Sequence, residues 1–130
     1  MILDSSAVIA ILHQEPEARV LFEAIRNADT TSMSVATFLE TSIVVDARRD
    51  PASSTALDEF CKECGIKFVP VDVMQMGIAR EAYRDFGRGS GHKARLNFGD
   101  CFAYALAKAT GEPLLYKGAD FRKTDVASAL

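Results

Sequence analysis

Very short apolar runs recur along this chain, each followed by a longer segment of helical periodicity. The runs are Met1 to Leu3, Thr31 to Met33, Ile66 to Val71 and Pro113 to Tyr116. Between them the spacing predicts helices over residues 5–12, from Glu15-Pro16 onward, 34–49, 53–65, 72–86 and 99–110. Asp4 or Ser5, Ser34 and Asn97 are suitable N-caps, and Gly65 and Gly111 suitable stops. Asp50-Pro51 reads as a break in the pattern. The second helix is expected to place Val20, Leu21, Phe22 and Ile25 near the core. The helix over 72–86 presents Met76, Ala79, Ala82, Tyr83 and Phe86 on its apolar side. Residues 127–130 add a little more extended chain. Short apolar strands alternating with helices imply an α/β fold, a short parallel sheet flanked by helices on both faces. At 130 residues and 48 % hydrophobic composition the chain is one domain, 1–130, with one substantial core.

Net charge is −3, which excludes a protein that is basic overall but leaves room for a local basic patch. Three cysteines argue against a disulfide framework. Cys61-Lys62-Glu63-Cys64 has no second pair, and both thiols fall on the apolar side of a helix, so buried free thiols are expected. His13 and His92 have no companions at ligand spacing. The opening residues lack a signal-peptide pattern, and no apolar run approaches the ~20 residues of a membrane span. A soluble cytoplasmic protein is expected.

Four carboxylates stand against this apolar framework. Asp4 ends the first strand, Glu40 interrupts the apolar run of residues 34–45, Asp100 opens an apolar helix, and Asp120 closes the turn after the last strand. Each has an ordinary role open to it: Asp4 as a helix cap, Glu40 as a boundary residue reaching water, Asp100 as half of a capping box with Asn97, Asp120 as a turn residue. Asp125 is a rival for the fourth position. Acids against a core are costly unless paired, protonated or bound to a cation. No basic residue adjoins Asp4, Glu40 or Asp100 in sequence. A hard divalent ion, Mg²⁺ or Mn²⁺, resolves that cost through oxygen ligands. In parallel sheets ligands bind beyond the carboxyl ends of the strands, where these acids are expected.

Taken in order, Asp4-Ser5-Ser6-Ala7, Thr37-Phe38-Leu39-Glu40-Thr41, Leu96-Asn97-Phe98-Gly99-Asp100-Cys101 and Leu114 to Phe121 resemble the PIN domain. More narrowly the chain is similar to the VapC toxins of bacterial toxin–antitoxin pairs, over essentially its whole length. Tyr116 and Gly118 depart from residues common among relatives. The resemblance implies a three-layer α/β/α PIN-like fold and a Mg²⁺- or Mn²⁺-dependent endoribonuclease that leaves a 5′-phosphate and a 3′-hydroxyl. It implies Asp4, Glu40, Asp100 and Asp120 as catalytic metal ligands; the hydroxyls of Ser5 and Ser6 are placed to orient Asp4 or the attacking water. It further implies a homodimer and a VapB-type antitoxin that blocks the site; with no apolar run of spanning length, no membrane partner is expected.

The stretch Gly87 to Lys93 fails the phosphate-loop pattern, because no Ser or Thr follows the lysine and a helix precedes it. A flexible basic loop is the better description, from which Arg88, Lys93 and Arg95 can reach an RNA backbone. Two other functions fit the same acids less well. One is a catalytically silent PIN-like binding module. The other is a metal-dependent phosphotransfer domain, which in dehalogenase-type phosphatases needs an acid where Ser6 stands.

Overall fold

The computed structural model describes the whole chain, Met1–Leu130. Four short strands form one sheet: β1 Ile2–Leu3, β2 Ser32–Ser34, β3 Lys67–Val69 and β4 Leu114–Leu115. All pairings are parallel and the spatial order is β3-β2-β1-β4. Ile2 is level with Ser32 on one side and Leu114 on the other, and Leu3 is level with Leu115. The chain steps outward from β1 to β3 and then returns to the far side of β1. The order therefore reverses between β1 and β4, and the crevice beyond their carboxyl ends is where such sheets bind ligands.

Six α-helices cover the sheet: α1 Ser5–Leu12, α2 Ala18–Asn27, α3 Val35–Asp46, α4 Pro51–Glu63, α5 Val73–Phe86 and α6 Asp100–Thr110. Alternation along the strands divides the core in two. Ile2 and Leu114 join Ala79, Ala82, Leu96, Tyr104 and Leu106 on the face covered by α5 and α6. Leu3 and Leu115 join Val8, Leu21, Ile25, Val45, Leu57 and Phe60 on the face covered by α1 to α4. The architecture is the expected three-layer α/β/α sandwich.

Several local expectations need correction. The break expected at Asp50-Pro51 does separate α3 from α4, and the pair also starts the new helix earlier than residue 53: Asp50 accepts from the Ala52 N–H at 3.2 Å and Pro51 takes the first turn of α4, where its missing N–H costs nothing. The second helix begins at Ala18, beyond Pro16. Leu21 and Ile25, four apart, are buried, while Val20 and Phe22 flank that stripe and are exposed. On α5, Ala79 and Ala82 are buried but Met76 and Tyr83 face outward. Residues 127–130 add only a bridge, Leu114 with Ser128. The basic loop expected to be flexible is pinned: Arg88 N–H donates to Leu96 O and Leu96 N–H to Phe86 O, each at 2.9 Å, and Ala94 and Leu96 are fully buried. No helix is long and apolar enough to cross a membrane.

Candidate active site

Asp4 follows β1 directly and caps α1. Its Oδ2 accepts from the Ser6 N–H at 2.9 Å and the Ser6 hydroxyl at 2.5 Å. The Ser6 oxygen in turn accepts from the Lys117 N–H at 2.9 Å, so the turn just after β4 holds the serine that holds the aspartate. Asp4 is 1 % exposed, and its other oxygen, Oδ1, is buried without a hydrogen-bond partner. Burial pushes this carboxyl up to about 6, the Ser6 bonds hold it back, and the nearby charge of Glu40 raises it further.

Glu40 projects from the second turn of α3, a helix capped by Ser34, whose hydroxyl accepts from the Ala36 N–H at 3.3 Å. It is half-buried, and its Oε2 is buried and unpartnered. Desolvation raises its pKa, the charge of Asp100 adds to that, and the Ser5 hydroxyl lowers it in part. Asp100 opens α6 in a reciprocal cap. The Asp100 N–H donates to Asn97 Oδ1 at 2.8 Å, and Asp100 Oδ2 accepts from the Asn97 N–H at 2.7 Å. Burial pushes Asp100 up to about 6, the Asn97 bond lowers it, Asp4 and Asp120 raise it, and Arg88 draws it down.

The four acids expected at one point therefore divide. Asp4, Glu40 and Asp100 raise one another's pKa and share one corner beyond the carboxyl ends of β1 and β2. Asp120 is exposed ahead of a short 3₁₀ turn, Phe121–Lys123, and reaches the group through its charge on Asp100. Asp125 is engaged elsewhere, accepting from the Tyr104 hydroxyl at 2.6 Å and Lys108 Nζ at 2.9 Å. As placed, no three of these side chains form a group that one ion could bridge. What fits a cation is the donor chemistry: two buried carboxylate oxygens with no partner, one on Asp4 and one on Glu40, in a cluster of like charges. Burying unpaired oxygen acceptors is costly, and a hard cation satisfies them.

Of the basic loop, Arg88 acts on Asp100 through its charge, and Lys93 and Arg95 are exposed. Cys61 is buried and Cys64 half-buried; both are free, and desolvation raises both thiols, Cys61 to about 11. An apolar groove of about 320 Å³ opens beside Glu40, lined also by Leu39, Ile43, Val44, Phe98 and Phe102. Sequence reasoning missed this groove and the Lys117 N–H. The exposed apolar residues at 39 and 43, four apart on α3, were the available signal for the groove.

Residues 1–127 match the PIN domain family. Ribonuclease VapC28 of Mycobacterium tuberculosis is 53 % identical over 130 residues, covering 100 % of this chain and 98 % of that one. This chain is a PIN-domain protein of the VapC ribonuclease family. Ribonuclease VapC of Mycolicibacterium smegmatis is 46 % identical over 128 residues, with 98 % of each chain covered. The PIN fold recurs in a crystal structure of VapC20 of M. tuberculosis, a toxin that cleaves the sarcin–ricin loop. There the TM-score is 0.73 at 12 % identity, over 97 % of this chain and 95 % of that one. It recurs in VapBC2 of Rickettsia felis bound to a promoter DNA fragment, with a TM-score of 0.75 at 13 % identity, over 98 % and 94 %. This PIN domain places Asp4 and Asp120 after the two strands that flank its topological switch point, with Glu40 and Asp100 on helices reaching the same end.

Proposed function

We propose that this VapC-family protein is a divalent-metal-dependent endoribonuclease and the toxin of a VapBC-type pair. The observation that carries this reading is the pair of buried, unpartnered oxygens, Asp4 Oδ1 and Glu40 Oε2, beside Asp100. Asp4 and Glu40 would hold Mg²⁺ or Mn²⁺, with Asp100 and Asp120 as the acids that would join them once their side chains turn toward the ion. When bound, the ion supplies Lewis-acid polarisation of the scissile phosphate and of the attacking water. Ser6 holds Asp4 in one rotamer, and Ser5 steadies Glu40. Arg88 stands at the acidic site, and with Lys93 and Arg95 offers positive charge to phosphates flanking the cut.

The family relatives support an RNA substrate and a VapB-type antitoxin. The exposed apolar rim of Leu39, Ile43 and Phe98 offers a protein partner, the antitoxin or a second copy in a homodimer, a surface to cover. Neither rival function gains from the geometry. Position 6 is a serine bonded to Asp4 and Lys117, not a second acid for phosphotransfer, and a purely structural role leaves the orphaned oxygens without a reason. The test is cleavage of single-stranded RNA by purified protein. Activity is expected with Mg²⁺ or Mn²⁺ and none in excess EDTA. Equal cleavage in chelator overturns the metal reading, and no cleavage with either metal overturns the nuclease reading.

A further inference from the structure

Gly99 has no conformational need to be glycine. Its φ of −65° and ψ of −43° are ordinary right-handed helical values, where alanine is the favoured residue. The obstacle to a side chain is a neighbour. A Cβ on Gly99 would run into Glu40 Oε2 and lie 2.5 Å from both Oε1 and Cδ. All three atoms belong to one carboxylate, whose Oε2 is buried without a partner. The other glycines differ. At six of them a Cβ meets nothing within 4 Å, and at Gly87 it meets the backbone and ring of Tyr83. Only at Gly99 does the missing methyl leave room for an acid.

We propose that Gly99 is a positioning residue, its bare Cα forming the seat that holds the Glu40 carboxylate beside Asp100 at the start of α6. The proposal rests on the reading of Glu40 as a metal ligand. The clash falls on the tip of a flexible side chain and spares the main chain, so the fold can take up a methyl by swinging Glu40 aside. A metal site cannot, because its ligands must keep their places relative to one another.

The experiment compares wild type, Gly99→Ala, Glu40→Ala and the double variant. Mn²⁺ binding is measured calorimetrically without RNA, stability by thermal melts in chelator, and the Glu40 position by a metal-free crystal structure of Gly99→Ala. Gly99→Ala is expected to melt at or above the wild-type temperature. It should bind Mn²⁺ roughly 10- to 100-fold more weakly, as Glu40→Ala does. The double variant should bind no more weakly than Glu40→Ala alone, since the methyl then has nothing to displace. Wild-type affinity in Gly99→Ala, or a further loss in the double variant, overturns the proposal. If the wild type binds no Mn²⁺, the ligand reading has failed and the crystal structure alone decides the seat: Glu40 moved off α6 upholds it, and Glu40 unmoved overturns it.

Discussion

Asp4→Asn should stabilise this protein while disabling it. Asn keeps the shape of the aspartate and can still accept from the Ser6 N–H and hydroxyl, but it cannot ionise. In the folded chain the Asp4 carboxyl is pushed from 3.8 to about 6, chiefly by burial. Ionisation therefore costs more folded than unfolded. The aspartate's contribution to stability is fully present below pH 3.8 and is lost as pH climbs through about 6. The gap corresponds to about 3 kcal/mol at pH 7.5, or roughly 10 °C in Tm for a chain of this length. Thermal or urea denaturation in EDTA should show the Asn variant more stable by that order at pH 7.5 and level with wild type at pH 4. Adding Mn²⁺ should reverse the order at pH 7.5, since an ion that binds only the folded wild type stabilises it in proportion to the logarithm of its excess over Kd. An Asn variant that is less stable at pH 7.5 in chelator, or that carries the same advantage at pH 4, would refute the argument from burial.

Other substitutions separate the acids by role. Glu40→Gln and Asp100→Asn should each abolish most RNA cleavage, Asp120→Asn should cost less, and Asp125→Asn should lower Tm while sparing turnover; a wild-type rate for Glu40→Gln or Asp100→Asn removes that residue from the ligand set. Replacing Arg88, Lys93 and Arg95 together by Ala should raise KM and flatten the log–log salt dependence of RNA binding by roughly 0.7 per lost phosphate contact. Fluorescence anisotropy across a salt series reads that slope, and an unchanged slope with collapsed kcat would place one of the three at the transition state. Cys61→Ala and Cys64→Ala should cost of order 1 kcal/mol each in packing and leave cleavage intact, as measured by denaturation and by RNA-cleavage rate.

The residues legible in the sequence are those whose surroundings are local. Asp4 beside its own helix, Ser34 as a cap, and the Asn97–Asp100 pair all bond within three residues. The acids could be grouped because alternating strands and helices leave few places for strand ends to go. What stayed hidden depends on pairs far apart in the chain. Lys117 donates to Ser6 across 111 positions, and no pattern in either segment announces it. Gly99 touches Glu40 only because α3 and α6 meet at one corner. Helix faces were read too generously at Val20, Phe22, Met76 and Tyr83, since a large apolar side chain is not obliged to be buried. Asp50-Pro51 is legible as the break between α3 and α4, but not as the point where α4 begins, because proline is tolerated in a first turn.

The caps on Asp4 and Asp100 have a consequence for denticity. Each aspartate already commits its Oδ2 to the protein, one to Ser6 and one to the Asn97 N–H. Asp4 Oδ2 accepts two hydrogen bonds and is spent, so Asp4 is left with Oδ1 alone, and turning its carboxylate to offer both oxygens would strip α1 of its cap; Asp100 Oδ2 accepts one and keeps a lone pair. An ion held here would be offered a single oxygen by Asp4. That suits the small octahedral shells of Mg²⁺ and Mn²⁺. Ca²⁺, which commonly takes six to eight oxygens and bidentate carboxylates, would not obtain a bidentate Asp4 without loss of the α1 cap.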